Sequence, residues 1–390
     1  MNLLQDILVI DFSQFLSGPS AALRLADMGA QVIKIEKPGT GDICRQLYVS
    51  DVMIEGESTI FHAINRNKQS YVADLKDADD LGKIKLLLAK ADVMMHNFRP
   101  GVMERLGLDY DTVKTINPAI VYAEISGYGS EGPWKDLPGQ DLLLQAASGL
   151  TWLSNNSNEN PTPMGVAAVD ILAGTHITQG ILALLYKRTI SGEGALVQVN
   201  MFESVLDFQF EVLTCYYNDG RQLPVRSAIN SGHAYIAAPY GIYKTKDEYI
   251  ALAMTDIVKL GLLLECDPLK KFTNSSDWFD QRDDIKKILA EHLINQPGSY
   301  WLAILEEADV WCAPVLNYDQ LIKEEGYKVL NMEVTVKTSN GLSVKTTRCP
   351  IRVDGKLLVS EKGAPLLGEH NEHIDAQFGL IKEMQPVIKR

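Results

Sequence analysis

Apolar and polar residues change places along the first third of the chain in blocks that switch between two periods. Residues 7–12 (ILVIDF) are a short β-branched run, the pattern of a strand buried on both faces. The following SGPSAALRLADMGA carries apolar residues at helical steps through Ala22, Leu25 and Ala26. Ser17 stands there as a cap, Pro19 in the first turn and Gly29 at the stop. Residues 31–36 (QVIKIE) read as a second strand, which completes a right-handed βαβ unit on a parallel sheet. The pattern recurs, with strands at 70–75, 92–97 and 119–126 and helices at 77–91 and 109–116. Such alternation over ~130 residues predicts an α/β fold, a Rossmann-like doubly wound parallel sheet.

Residues 163–188 break the rhythm with a long segment of helical spacing. Ile171, Leu172, Ile177, Ile181, Leu184 and Leu185 mark its apolar face, and Lys187 and Arg188 close it at the end a helix dipole favours for cations. Asp170 opens it and admits two readings: an N-cap accepting a backbone N–H, or a nucleophile kept ionised by those amides and the dipole. Before this segment, residues 128–138 are turn chemistry directly after a strand, 141–150 look helical, and 155–163 form a polar, exposed loop. After it, 192–194 mark a hinge ahead of a strand at 195–199 and a helix through Cys215. From about residue 224 the character changes. GIYKTKDEYIALAM reads as a hairpin, and amphipathic helices follow at 280–295 and 299–308. This predicts a large Rossmann-like domain from 1–195 and 326–390, a linker over 196–224, and a small α+β domain over 225–325 with a return linker. Residues 313–315 and 333–353 are expected to bring the chain back to the first sheet.

Composition narrows the function. The 390 residues are 46% hydrophobic, enough for two cores, and the net charge of −13 argues against nucleic acid or an anionic membrane as the main partner. Five scattered cysteines without a CxxC argue against a disulfide framework or a zinc site. The N-terminal stretch lacks a signal-like pattern, and no apolar run approaches the ~20 residues of a membrane span, so a cytoplasmic protein is expected. The first strand–helix turn carries SGPS in place of GxGxxG, and neither GxxxxGK[ST] nor GxSxG occurs. His370 and His373 have metal-like spacing but no further ligands beside them, so no metal is expected. Lys34, Lys37, Arg66, Lys68, Arg99 and Arg105 gather after strands of the first sheet. In an acidic chain, that suits a ligand with several phosphates.

A set of linked motifs carries a family resemblance. They are VIDFSQFLSGPSAALRLADMGAQVIKIEKPGTGD at 9–42, NRNKQSYVADLK at 65–76, ADVMMHNFRPGVMERLG at 91–107 and SGYGSEGP at 126–133. PGQDLLLQAASGL at 138–150, the D-x-x-A-G of 170–174, WCAPV at 311–315 and APLLGEH at 364–370 complete the set. In this order and spacing the chain resembles the class III coenzyme A transferases (CaiB/BaiF, the formyl-CoA and carnitine-CoA transferase group), which share a fold with 2-methylacyl-CoA racemases. The resemblance implies an interlocked, ring-like homodimer. It implies that Asp170 is the catalytic aspartate, and that CoA is a substrate, with no permanently bound cofactor.

Residue by residue, it places CoA contacts at Lys37, Asn97, Phe98, Arg99 and Arg105, and a pocket-lining position at Met201. Gln140 stands where the racemases have a catalytic histidine. An amide cannot pass a proton at neutral pH, which favours a transferase; Gln140 would orient Asp170 or the acyl group, with Asp141 beside it as support or as a cap. Leu16 replaces a glutamine found in members acting between formate and oxalate, and SAINSGHAYIAAP has only Gly232 where they carry a glycine-rich lid. The implied activity moves CoA from an acyl-CoA donor to a carboxylic acid acceptor through an aspartyl anhydride and an aspartyl-CoA thioester. Alternatives are a 2-methylacyl-CoA racemase using Asp170 with a partner such as His176, and a non-catalytic CoA-binding protein.

Overall fold

In the computed structural model, which describes residues 3–47, 52–54 and 56–380, the apolar runs of the N-terminal region pair edge to edge. Strands β1 (Leu8–Asp11), β2 (Gln31–Glu36), β3 (Gln69–Val72), β4 (Val93–His96), β5 (Val121–Ser126) and β6 (Ala195–Asn200) form one parallel sheet in the order β3-β2-β1-β4-β5-β6. The register sets Ile10 beside Ile33 and Met94. Side chains alternate between faces. Leu8, Ile10, Ile33, Ile35, Met94 and Tyr122 share a core with residues of helices Ala78–Leu88 and Tyr110–Ile116. The opposite face receives helix α1 (Ser17–Asp27) and, later in the chain, the long helix that carries Asp170. The strand order reverses between β1 and β4, and the crevice at such a reversal is where sheets of this kind bind ligands.

The described residues form two compact units, one drawn from Met1–Leu144, Ala167–Val205 and Leu330–Arg390, the other from Gln145–Val166 and Leu206–Val329. Residues 145–166, read from sequence as part of the first lobe, therefore belong with the second, and 196–205, read as linker, belong with the first. The helix expected at 141–150 is shorter. It runs as α2 (Asp141–Ala147) and is followed by a separate turn at Leu150–Leu153, after Gly149 adopts φ +86°.

Helix α3 (Ala168–Ser191) has 24 residues and, by length and composition alone, is long and apolar enough to cross a membrane, contrary to the expectation that no segment reaches that size. Its buried stripe (Val169, Ala173, Ile177, Ile181, Leu185) nevertheless lies against α1, β5 and β6, as a core helix of the sheet does. Gly174 permits the approach to α1. A side chain there would meet Ser20 Oγ at 2.4 Å and the Ser17 carbonyl at 2.8 Å.

In the second unit the expected hairpin is present as β7 (Gly241–Lys244) and β8 (Tyr249–Leu252), and helices run over Arg282–Leu293 and Gly298–Glu307. Strand β9 (Cys312–Pro314) joins β8 here, not the first sheet. Tyr243, Ile250, Leu289, Trp301 and Leu305 form this unit's core. Nor do residues 333–353 return to the parallel sheet. β10 (Glu333–Lys337) and β11 (Ser343–Thr347) pair antiparallel with each other. Their alternation of apolar and polar residues suits a one-sided ribbon, not a strand buried on both faces.

The edge of β3 is also already filled. His370 N–H donates to the Ser70 carbonyl (3.1 Å), Ser70 N–H donates to His370 Nδ1 (3.3 Å), and the Asn371 amide bonds both N–H and C=O of Val72 (2.9 Å each). His370 thus closes a sheet edge.

Candidate active site

The turn from β1 into α1 runs along the strand-order reversal. Phe15 within it has φ +64°, a left-handed conformation uncommon for a bulky residue. Asn97, one residue beyond β4, holds the turn from across the reversal. Gln14 N–H donates to Asn97 Oδ1 (2.8 Å), while Asn97 Nδ2 donates to the Gln14 carbonyl (2.7 Å) and to Ser17 Oγ (3.3 Å). Ser17 is the first residue of α1 and makes no side-chain cap; Leu16 occupies the N-cap position.

Beneath this turn lies a buried ionic floor. Asp11 accepts from Ser13 N–H (2.9 Å), the Ser13 hydroxyl and Lys68 Nζ (3.2 Å). Lys34 Nζ donates to the Ser13 carbonyl (2.7 Å) and pairs with Asp42 (2.7 Å), and Lys68 Nζ also takes the Pro19 carbonyl (2.9 Å). Arg66 pairs with Asp27 in the same buried layer. Lys34, Arg66 and Lys68 are thus structural charges, each compensated as burial demands, and are not free to meet a phosphate. Lys37, Arg99 and Arg105 are exposed, Lys37 just beyond β2 and Arg99 just beyond β4, on either side of β1.

Asp170 is the third residue of α3, whose N-cap is Ala167, with no side-chain cap bond. The helix is capped from elsewhere. Asp141 Oδ1 accepts from Val169 N–H (2.7 Å) and from Asp170 N–H (3.1 Å). The capping reading therefore belongs to Asp141. The idea that its own helix's amides hold Asp170 ionised also changes. Burial and the negative charge of Asp141 push its carboxyl up to about 6, opposed by the hydroxyl and backbone N–H of Ser17, which face it from the start of α1. At pH 7 its ionised form still predominates.

Asp141 is delivered by the loop after β5. Gly127 and Gly139 touch backbone to backbone, and a Cβ on either would lie 2.5–2.6 Å from the other's Cα. Only glycine at both positions lets the loop close and return the chain beside β5.

The remaining expected positions are scattered around this arrangement. Gln140 is exposed, and its carbonyl accepts Leu144 N–H (3.1 Å) as α2 begins. Phe98 stacks on buried His96 (6.2 Å, 20°), whose imidazole burial pushes down to about 4. Met201 is buried directly after β6. His176 Nδ1 bonds Ser204 Oγ (3.0 Å).

In the second unit, the segment that matches a glycine lid is pinned. Buried Lys286 Nζ reaches Ser227 Oγ (2.9 Å) and the Asn230 carbonyl (3.1 Å), and Asp283 accepts Ala228 N–H (2.9 Å). Among the described residues no cluster of three His, Cys, Asp or Glu side chains could hold a metal ion. Sequence reasoning missed Ser17 as a partner of Asp170 and Asn97 as a brace. The available signal was that both belong to turns following strands that flank the reversal.

A family model described as CoA-transferase family III matches residues 4–371. An acetyl-CoA:oxalate CoA-transferase of Acetobacter aceti is 33% identical over 95% of this chain and 95% of its own length. The human alpha-methylacyl-CoA racemase is 28% identical over 97% of this chain and 94% of its own length. A crystal structure of a CAIB/BAIF family protein from Brucella suis superposes with a TM-score of 0.82 at 28% identity, over 95% of this chain and 98% of that one.

Proposed function

Because the chain belongs to CoA-transferase family III, and is an enzyme of CoA transfer, we propose that it works through a covalent intermediate on Asp170. The carboxylate attacks the thioester carbonyl of an acyl-CoA, forming a mixed anhydride and expelling CoA thiolate. The thiolate attacks the aspartyl carbonyl, releasing the donor's carboxylate and leaving an aspartyl-CoA thioester. The acceptor carboxylate then attacks that thioester to give a second anhydride, and the freed thiolate takes the acceptor's acyl group, restoring Asp170. Charge and atoms balance at each step, so no redox group is called for.

The observation that carries this reading is the electrostatic setting of Asp170. It is a half-buried carboxylate at the strand-order reversal, raised to about 6 yet mostly ionised at neutral pH, facing the amide at the start of α1. A raised pKa makes a carboxylate a better nucleophile, and the Ser17 N–H is suitably placed for charge that develops on the aspartyl oxygen. Lys37, Arg99 and Arg105 would meet the CoA phosphates, with Asn97, Phe98 and Met201 along the same edge. Gln140 supports transferase over racemase chemistry because its amide cannot carry a proton between two faces of a carbon. Changing Asp170 to Ala should abolish CoA exchange between a labelled acyl-CoA and a free acid while CoA still binds; retained exchange would sink the reading.

The interlocked homodimer fits the apolar groups that α3 leaves in water in the single chain, Tyr186 and Ile190 being 70% and 75% exposed. Light scattering of the purified protein tests it, with a stable monomer as the opposing result. The five free cysteines suit a reducing, cytoplasmic setting.

A further inference from the structure

The first amides of α3 find no acceptor in their own cap residue, and the side chain that takes them comes from another helix. One oxygen of Asp141 holds two consecutive N–H groups, that of Val169 and that of Asp170 itself. Asp141 in turn sits at the start of α2, fixed by the backbone contact of Gly127 with Gly139. A helix N-terminus favours a negative charge, and here that favourable site is occupied by Asp141. The group that faces the Asp170 carboxylate is Ser17, at the start of α1. We propose that Asp141 is a positioning residue that fixes the backbone of the nucleophile and, by occupying the helix N-terminus in its place, leaves the Asp170 carboxylate reactive. This rests on the reading of Asp170 as the group acylated.

A structural cap alone would not affect the charge state of Asp170, whereas this arrangement does. The like charge of Asp141 is the second contributor, after burial, to the raised Asp170 carboxyl. The other elements packed on α3 supply little to compete with it. On α1, Arg24 and Asp27 lie at the far end from Ser17, and Asp27 is held by Arg66. On β5, Glu124 is bonded by Gln198 of β6, and on α3 itself His176 is bonded to Ser204 and Arg188 to Asp92.

The test is the rate at which the full-length protein acquires mass from acetyl-CoA in a single turnover, followed across pH for wild type, Asp141→Asn and Asp141→Ala. Asn keeps the Oδ1 acceptor and removes the charge. Its acid limb should move to lower pH by about one unit, and its plateau rate should fall several-fold, with CoA binding unchanged. Ala loses the cap as well, and its rate should fall about 10- to 100-fold, with CoA binding again retained. An Asn variant with the wild-type limb, or with a limb displaced upward, overturns the role of Asp141 while the Asp170 reading stands. A wild type that transfers CoA without ever gaining mass overturns both.

Discussion

Two aspartates flank the same turn and are treated in opposite ways. Asp11, at the end of β1, is wholly buried, and burial alone would raise its carboxyl. The ammonium groups of Lys68 and Lys34 and the bonds from Ser13 outweigh that and hold it below the usual carboxylate range. Asp170 is less buried, meets no ammonium in its electrostatic balance, and is raised by burial and by Asp141 with only Ser17 in opposition. A carboxylate whose task is to fix a turn is fully compensated. One whose task is to react is left short of compensation, and its reactivity is the result.

The comparison can be broken most forcefully from the floor. Lys68→Met leaves Asp11 with one ammonium fewer in a dry site and should lower unfolding stability by about 3–5 kcal/mol, read as a lower denaturant midpoint. A variant as stable as wild type would show that the floor is not what holds the turn.

Gly174→Ala presses a methyl group into Ser20 and the Ser17 carbonyl, so α1 and α3 must part. Overpacking of this kind costs about 1–3 kcal/mol, and it should lower turnover more than it raises KM for acyl-CoA, because it moves Ser17 away from Asp170. A change in KM alone would count against that coupling.

Ser17→Ala removes the hydroxyl that opposes the raised carboxyl. It should carry the acid limb upward and raise the plateau rate of acylation several-fold, both the reverse of the changes expected for Asp141→Asn.

A fourth effect is on the pH dependence of stability. Because the Asp170 carboxyl is raised in the folded state, its contribution is full below the ordinary carboxylate pKa near 3.8 and is lost as pH rises through about 6. Asp170→Asn should therefore melt above wild type at neutral pH, and that advantage should vanish below about pH 4. For Asp11, lowered in the fold, the sign is opposite: its stabilisation is present at neutral pH and fades as acid is added.

Much of the first unit was legible because its strands are short apolar runs separated by helical spacing, and a sheet buried on both faces leaves that pattern no alternative. Asp170 itself was legible from its place at the head of α3. What could not be read were pairings between segments far apart in sequence. Lys34 and Lys68 look like surface cations until Asp42 and Asp11 are found against them. Asp141 looks like the start of its own helix, and only its bonds to the amides of Val169 and Asp170 show which other helix it caps. The ribbon at Glu333–Thr347 misled because a strand-like run does not say which edge is free, and His370 and Asn371 had already taken the edge of β3.

The most direct measurement is peptide mapping by mass spectrometry of the protein quenched during turnover with acetyl-CoA and an acceptor acid. The account predicts a CoA thioester on the peptide that contains Asp170, formed and consumed at the rate of transfer and missing in Asp170→Asn. Transfer at full rate with that peptide unmodified, or with the adduct on another side chain, would contradict it.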